Sequence, residues 1–178
     1  IQNQKCKKIL LMGVKSLSSE VEERTSLFFD AIEKHGIAKD SVTVLKGKFD
    51  YPSAKEQLKN YYQENNSFDF DTIVSLNDDM AFACIDFCRE IGLKVPEDVI
   101  VSGFDDLPRS SFSNLPLTTI SQRISEQGYQ AAQCVIDQIN GIKVPLVQKI
   151  QASVVLRAST ERIKYDESQS NQSELIFK

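Results

Sequence analysis

Short apolar runs alternate with longer amphipathic stretches through most of this chain, and no other feature of the sequence constrains the fold as strongly. The runs at 8–13, 42–47, 70–76 and 99–103 have the length of strands, and helical stretches separate them. Strands that alternate with helices of about 11 or more residues form βαβ units. The pattern therefore predicts an α/β fold, with a doubly wound and mostly parallel sheet covered on both faces.

Helix boundaries are marked by capping signals and glycines. The segments 19–22 (SEVE) and 53–56 (SAKE) are capping boxes, in which a serine and a glutamate three residues later satisfy free N–H groups. Gly36, Gly92 and Gly141 follow helical stretches, and glycine accepts the left-handed conformation that ends a helix. These signals predict helices over about 19–34, 53–65, 78–91 and 125–140.

The residue pattern in the second half of the chain predicts a less regular arrangement. Residues 105–116 contain two prolines and three serines and indicate an ordered surface loop. Residues 117–120 are expected to be extended, and 148–156 to form a last strand. The polar residues 161–178 indicate a tail or linker, so we divide the chain into a domain over 1–160 and this tail.

Charge, cysteines and the N-terminal residues exclude several classes of protein. The net charge of −4 gives no attraction to nucleic acid or to anionic lipids, and no apolar run approaches the roughly 18 residues that span a bilayer. The scattered Cys6, Cys84, Cys88 and Cys134 indicate reduced thiols, and no signal peptide is visible, which predicts a cytoplasmic protein. A chain that opens on Ile1, without an initiator methionine, indicates a piece of something longer.

Polar and aromatic side chains follow the predicted strands. Arg24 lies in the first helix, Phe49 follows the second strand, Asn77 and Asp78 the third, and Asp105 the fourth. Because parallel strands end at one edge, where such sheets bind ligands, we expect these groups to meet there. Carboxylate, amide, guanidinium and aromatic groups together suit a polyhydroxylated or heterocyclic small molecule.

Each of these residues also has a structural interpretation. Asn77 and Asp78 could cap the following helix, and Asp105 could form a turn. Phe49 could belong to the core, and Arg24 could pair with a glutamate one helical turn away.

Other candidate sites have less support. His35 is the only histidine and lies beside a predicted helix end, so we interpret it as structural. Cys84 and Cys88 share a helix face with apolar neighbours, which favours packing over metal binding. No glycine-rich phosphate-binding motif is present, and we expect no cofactor, no metal and no catalytic residue. The alternative is a Mg²⁺-dependent phosphoacceptor that uses the acid pairs 78–79 and 105–106.

Read in order, these segments resemble the second half of the effector-binding domain of LacI/GalR-type transcriptional regulators. The most specific match is IGLKVPEDVIVSGFDD at 91–106, and IVSLNDDM at 73–80 is almost as specific. Weaker matches are KILLMG at 8–13, RTSLF at 24–28, GKF at 47–49, LPLTTISQ at 115–122, GYQAA at 128–132 and LRAS at 156–159. The DNA-reading helix-turn-helix, the hinge helix and the first half of the ligand domain have no counterpart in this chain.

The resemblance implies a periplasmic-binding-protein-like fold, with the chain forming the C-terminal lobe and a returning segment. It implies that Arg24, Phe49, Asn77, Asp105 and Gln122 form this lobe's share of an effector pocket, and that Asp78 is structural. The effector is expected to be a sugar, or alternatively a purine or nucleoside. DNA contact is expected only through a region absent from this chain, in a homodimer. Some members of the family carry the domain on a diguanylate cyclase or a kinase, which remains an alternative output.

Overall fold

The fold is given by a computed structural model, which describes residues 7–15 and 18–161. In chain order its elements are β1 (Ile9–Val14), α1 (Ser19–Lys34), β2 (Val42–Gly47), α2 (Tyr51–Asn65), β3 (Thr72–Ser75), α3 (Asp78–Glu90), β4 (Ile100–Ser102), α4 (Arg109–Phe112), β5 (Thr119–Ser121), α5 (Ile124–Ile139) and β6 (Ser153–Val155). Single 3-10 turns lie at Lys39–Ser41 and Ala158–Thr160.

The first four strands form a parallel sheet in the order β2-β1-β3-β4. Ile9 of β1 pairs with Val42 of β2 and with Thr72 of β3, and Thr72 pairs in turn with Ile100 of β4. This confirms the predicted α/β fold with a mostly parallel sheet.

The strand order reverses direction between β1 and β3. From β1 the chain moves to β2 on one side, and from β2 it crosses to β3 on the other side. Right-handed crossovers then place α1 on one face of the sheet and α2 and α3 together on the opposite face. In agreement, α2 packs against α3. Such a switch point opens a crevice at the carboxyl ends of the central strands, where ligands bind in sheets of this kind.

The core surrounds β1, the central strand. Ile9, Leu10, Leu11 and Met12 are fully buried, as expected for a strand that is covered on both faces. This rigid centre fixes the positions of the loops that leave the carboxyl edge.

The first helix spans the predicted residues 19–34, whereas the second begins at Tyr51, two residues before the predicted start, and both are capped by a residue ahead of the predicted capping box. The first helix is capped by Ser18, whose side chain accepts a hydrogen bond from the Val21 N–H. The second is capped by Asp50, whose Oδ1 lies 2.8 Å from the Ser53 nitrogen. Aspartate caps a helix as well as serine does, and Pro52 fits the first turn, so the helix begins before the predicted box.

The predicted helix ends are confirmed. Gly36, Gly92 and Gly141 follow α1, α3 and α5 with φ angles of 72°, 82° and 74°. These angles lie in the left-handed region that glycine reaches without steric cost.

The second half of the chain differs from the prediction in detail. The segment expected to be a loop contains α4, and the last strand covers only Ser153–Val155, which pairs antiparallel with β5. The chain lies parallel to β4 through a bridge between Ser102 and Thr118 before it enters β5.

Helix α5 is amphipathic, yet none of its residues is buried within the described part of the chain. Ile124, Val135, Ile136 and Ile139 on this helix are between 51% and 79% exposed.

Some predicted features lie outside the described residues. These are Cys6 and all but the first residue of the predicted tail over 161–178. Among the residues that are described, no helix has both the length and the apolar character needed to cross a membrane.

Candidate functional site

All the predicted ligand-binding residues lie at the carboxyl edge of the strands. Arg24 is in the second turn of α1, Phe49 follows β2, Asn77 follows β3, Asp105 follows β4 and Gln122 follows β5. Hydrogen bonds connect several of them across this edge, so the structure brings together residues that are far apart in the sequence.

Asn77 caps helix α3, as its structural interpretation predicted. Its Oδ1 accepts a hydrogen bond from the Met80 N–H at 2.9 Å, and its Nδ2 donates to the Phe49 carbonyl oxygen at 2.8 Å. The residue is only 7% exposed. Asn77 therefore joins the loops after β2 and β3, and one amide N–H remains without a described partner.

Asp105 and Gln122 are in direct contact. The Gln122 Nε2 donates to the Asp105 Oδ1 at 2.7 Å, and the Asp105 N–H donates to the Ile120 carbonyl oxygen at 2.9 Å. The chain at Asp105 has a φ of 117°, an unusual value for a residue with a side chain. Strained backbone of this kind is found preferentially at functional sites.

The environment of Asp105 raises the pKa of its carboxyl. Partial burial raises the pKa of its carboxyl above the usual value of 3.8, and this effect outweighs the hydrogen bond from Gln122 and the positive charge of Arg24. The negative charges of Asp78 and Asp79 raise it further. A carboxylate that is incompletely compensated by the protein can gain from donors on a ligand.

Arg24 is held by two elements other than its own helix. Its Nη1 donates to the Leu76 carbonyl oxygen at 3.3 Å, at the end of β3. Its Cζ lies 4.0 Å from the centre of the Phe104 ring, within the range of a cation–π interaction. The side chain is partly buried, and it points across the switch point of the sheet.

Phe49 is the most exposed of the predicted residues. It is 37% exposed, so it does not belong to the core, and its φ is 65°. An accessible aromatic ring beside polar groups can stack on the apolar face of a sugar or on a heterocycle.

Asp78 is structural, as the resemblance implied. It is fully buried at the start of α3. Its Oδ2 accepts from the Leu107 N–H at 2.8 Å and the Ser110 hydroxyl at 2.7 Å, and its Oδ1 accepts from the Thr119 hydroxyl at 2.6 Å. The carboxylate thus joins α3, the loop before α4, and β5.

The geometry does not favour the magnesium alternative. Asp78 is fully engaged, and Asp106 forms an ion pair of 2.7 Å with Arg157, in which both side chains are largely buried. Within the described residues, no group of three or more His, Cys, Asp or Glu side chains is arranged to hold a metal ion.

The other predicted structural residues also match the structure. Cys84 and Cys88 are fully buried among apolar side chains, and burial raises the pKa of the Cys88 thiol to about 12. His35 is the exposed C-cap of α1, at the end of the helix opposite to the site.

Sequence reasoning missed the part that Phe104 plays. It stands between Gly103 and Asp105 in the quoted motif, and its ring supports Arg24. An aromatic residue directly before a candidate acid at a strand end was the available signal.

Comparison with known proteins identifies one family along most of the chain. The family described as periplasmic binding protein-like domain matches residues 2–160. The regulator MalR of Streptomyces coelicolor is 36% identical over 93 residues, which cover 52% of this chain and 27% of MalR. The repressor CytR of Escherichia coli is 29% identical over 140 residues, which cover 76% of this chain and 40% of CytR. The chain thus spans less than half the length of these curated relatives.

A similar fold is seen in solved structures. The LacI family regulator from Enterococcus faecium with bound ribose superimposes with a TM-score of 0.79 and 24% identity, covering 92% of this chain and 60% of that one. At this level of identity the likeness concerns the fold alone.

Proposed function

The chain belongs to the periplasmic binding protein-like domain family, as part of a LacI/GalR-type effector-binding domain, and from this membership we propose that it binds a small-molecule effector for a transcriptional regulator. The observation that supports this most directly is the meeting of donors, an acceptor and an aromatic ring at the sheet edge. The site residues are Arg24, Phe49, Asn77, Asp105 and Gln122.

A sugar is the ligand class that these groups suit best. The Asp105 carboxylate can accept from two hydroxyl groups, while Arg24 and Gln122 can donate to oxygens. The exposed ring of Phe49 covers an apolar ring face. A purine or nucleoside is the second candidate, because Phe49 can stack on a base. The Enterococcus faecium regulator has bound ribose, a sugar that carries hydroxyl groups of the kind proposed here to donate to Asp105.

The proposed mechanism is ligand-dependent closure of two lobes, of which this chain supplies one. A ligand shifts such an equilibrium only by its differential affinity for the closed state. Contacts made by Asp105 and Gln122 together with the other lobe exist only on closure, so they are the contacts that drive the change. DNA is contacted through a part of the whole protein outside this chain.

The whole protein is proposed to act as a cytoplasmic homodimer without enzymatic activity. The relatives matched are named as transcriptional regulators and repressors, which favours this output over a cyclase or a kinase. Phe112 on α4 is 73% exposed and is a candidate contact between subunits. Sedimentation of the whole protein tests the oligomeric state.

Calorimetric titration of the whole regulator tests the effector proposal, with a panel of monosaccharides, nucleobases, nucleosides and Mg²⁺. One sugar or nucleoside is expected to bind and to change affinity for operator DNA. Asp105→Asn is expected to weaken this ligand about 10- to 100-fold, because a hydrogen bond to a charged group contributes roughly 1.5–3 kcal/mol.

The matched control is Glu64→Gln, which neutralises an exposed carboxylate in the last turn of α2, at the end of the helix opposite to the site. It should leave affinity unchanged. Equal affinity of Asp105→Asn and wild type would refute the assignment of the site. Binding of Mg²⁺ alone would instead support the acid-pair alternative.

A further inference from the structure

Arg24 and Asp105 carry opposite charges at the same sheet edge, yet they do not form an ion pair. Arg24 lies close enough for its charge to lower the pKa of the Asp105 carboxyl. The ion pairs between described residues do not include one between these two. Asp105 instead accepts from Gln122, and the guanidinium lies over Phe104. The two charged side chains thus have separate partners.

Phe104 is the aromatic partner of Arg24. An arginine side chain on a helix surface has about 2 kcal/mol of rotamer entropy and can reach many positions. Here its guanidinium has two contacts outside α1, the Leu76 carbonyl oxygen and the Phe104 ring. The single hydrogen bond of 3.3 Å is longer than usual, and the second contact is the Phe104 ring, whose centre lies 4.0 Å from the Arg24 Cζ.

The backbone after β4 turns the neighbouring residues toward different partners. Phe104 contacts Arg24 on α1, whereas Asp105 contacts Gln122 after β5. Asp105 and Asp106 both have positive φ values, 117° and 54°, so the turn begins directly after the aromatic residue. One short segment thus carries the acceptor of the site and the support of its cation.

We propose that Phe104 is a positioning residue that holds the Arg24 guanidinium away from Asp105, so that both charged groups stay available to a ligand. The ring does not contact the ligand. Without the ring, Arg24 folds onto the carboxylate and closes the site with an internal ion pair. The benefit to ligand binding rests on the proposed function, but the position of Arg24 is a property of the free protein.

The test is the NMR titration of the Asp105 carboxyl in the 178-residue chain without ligand. The charged and polar groups facing it are Arg24, Asp78, Asp79 and Gln122. In Phe104→Leu the Asp105 pKa is expected to fall by about 1 unit or more, because an adjacent arginine lowers a carboxyl pKa by 1–3 units. Phe104→Tyr keeps a ring and should titrate like wild type.

A double variant separates this effect from general disturbance of the loop. In Phe104→Leu combined with Arg24→Gln, the fall in the Asp105 pKa should disappear, because the cation is gone. An unchanged Asp105 pKa in Phe104→Leu would overturn the proposal. So would a fall of equal size in the double variant.

A measurement on wild type alone decides the geometry if Phe104→Leu does not fold. A guanidinium over a ring face has its Nε–H resonance shifted upfield by the ring current. Absence of that shift at Arg24 would refute the proposed contact.

Affinity provides the functional readout, with d-ribose and adenosine as probes. Phe104→Leu is expected to lower the affinity for whichever probe binds by about tenfold. Phe104→Tyr keeps a ring and should bind this probe as wild type does. If neither probe nor any panel compound binds wild type, the proposed function fails. The pKa of Asp105 still decides the role of Phe104.

Discussion

Replacing the buried carboxylate of Asp78 should strongly destabilise the protein. Asp78 accepts three hydrogen bonds, from the Leu107 N–H and from the hydroxyls of Ser110 and Thr119. Asp78 and Ser110 are fully buried, and Thr119 is 1% exposed, so water cannot replace the lost acceptor. Each orphaned buried donor costs about 1–3 kcal/mol.

The expected loss for Asp78→Ala is about 3–4 kcal/mol of unfolding free energy. This value lies near the lower end of the summed cost of three orphaned donors, for two reasons. Removing a buried charge recovers part of its desolvation cost, and the hydroxyls of Ser110 and Thr119 can rotate toward other acceptors. The Leu107 N–H is fixed by the backbone and stays unpaired. Urea denaturation followed by far-UV circular dichroism measures the change as a lower midpoint at constant slope.

Asp79→Ala is the matched control, since its side chain is exposed on the same helix turn. It should cost less than about 1 kcal/mol, the usual effect of an acid near a helix N-terminus. Ser110→Ala should cost about 1 kcal/mol alone but almost nothing in the Asp78→Ala background, because its acceptor is already lost. A loss below about 1 kcal/mol for Asp78→Ala, or additive effects of the two substitutions, would refute this reasoning.

Three further predictions concern the site and its surroundings. Gly103→Ala should unfold the protein or lower its melting temperature sharply, because the added Cβ would clash with the Oδ1 of Asp78 and would lie 3.2 Å from the Cα of Asp78. Gly13→Ala is the control, because the nearest atom to its added Cβ would be 3.5 Å away. Asp105→Asn should raise the melting temperature at pH 7 while it weakens ligand binding. The reason is that a raised pKa in the folded state means that the ionised carboxyl destabilises the fold, and this cost disappears as pH falls through that pKa. Tyr51 should ionise near pH 12 in an ultraviolet titration, because burial and its 2.9 Å hydrogen bond to Asp86 raise the phenol pKa.

Each of these has an outcome that contradicts it. Equal melting temperatures for Gly103→Ala and Gly13→Ala would mean that the loop after β4 can move away from α3. A stability advantage of Asp105→Asn that persists at pH 3 would show that charge is not its source. A wild-type minus Tyr51→Phe difference titration with its midpoint near pH 10 would show that this phenol has an ordinary environment.

The sheet and the site edge could be predicted from sequence because both depend on pattern. Strand runs such as 8–13 and glycines such as Gly36 encode their structure locally, and parallel strands bring their carboxyl ends together whatever the details. The cap of α2 could not be placed in the same way. Asp50 and Ser53 are both good capping residues, and only the packing of Pro52 and the turn after β2 decides between them.

Contacts made by side chains from distant segments were beyond sequence reasoning. The contact of Arg24 with Phe104 depends on the strand order, which places α1 beside the loop after β4 only once the sheet has formed. The capping interpretation of Asn77 is confirmed, and the same amide also joins the loop of Phe49 to α3, a contact that the local sequence does not indicate.

The pairing of β5 with β6 has an evolutionary consequence. Ser121 and Ser153 are partners in this ladder, and Ser159 is bonded to Thr118 and to the Val101 carbonyl of β4, so both ends of the excursion over 122–152 are fixed to the sheet. Lengthening a segment with fixed ends costs only about 0.6 kcal/mol for each doubling. Insertions and deletions between Gln122 and Ser153 can therefore accumulate without shifting the register of the sheet. Selection can thus reshape this excursion while the half of the pocket built by β1 to β4 stays the same.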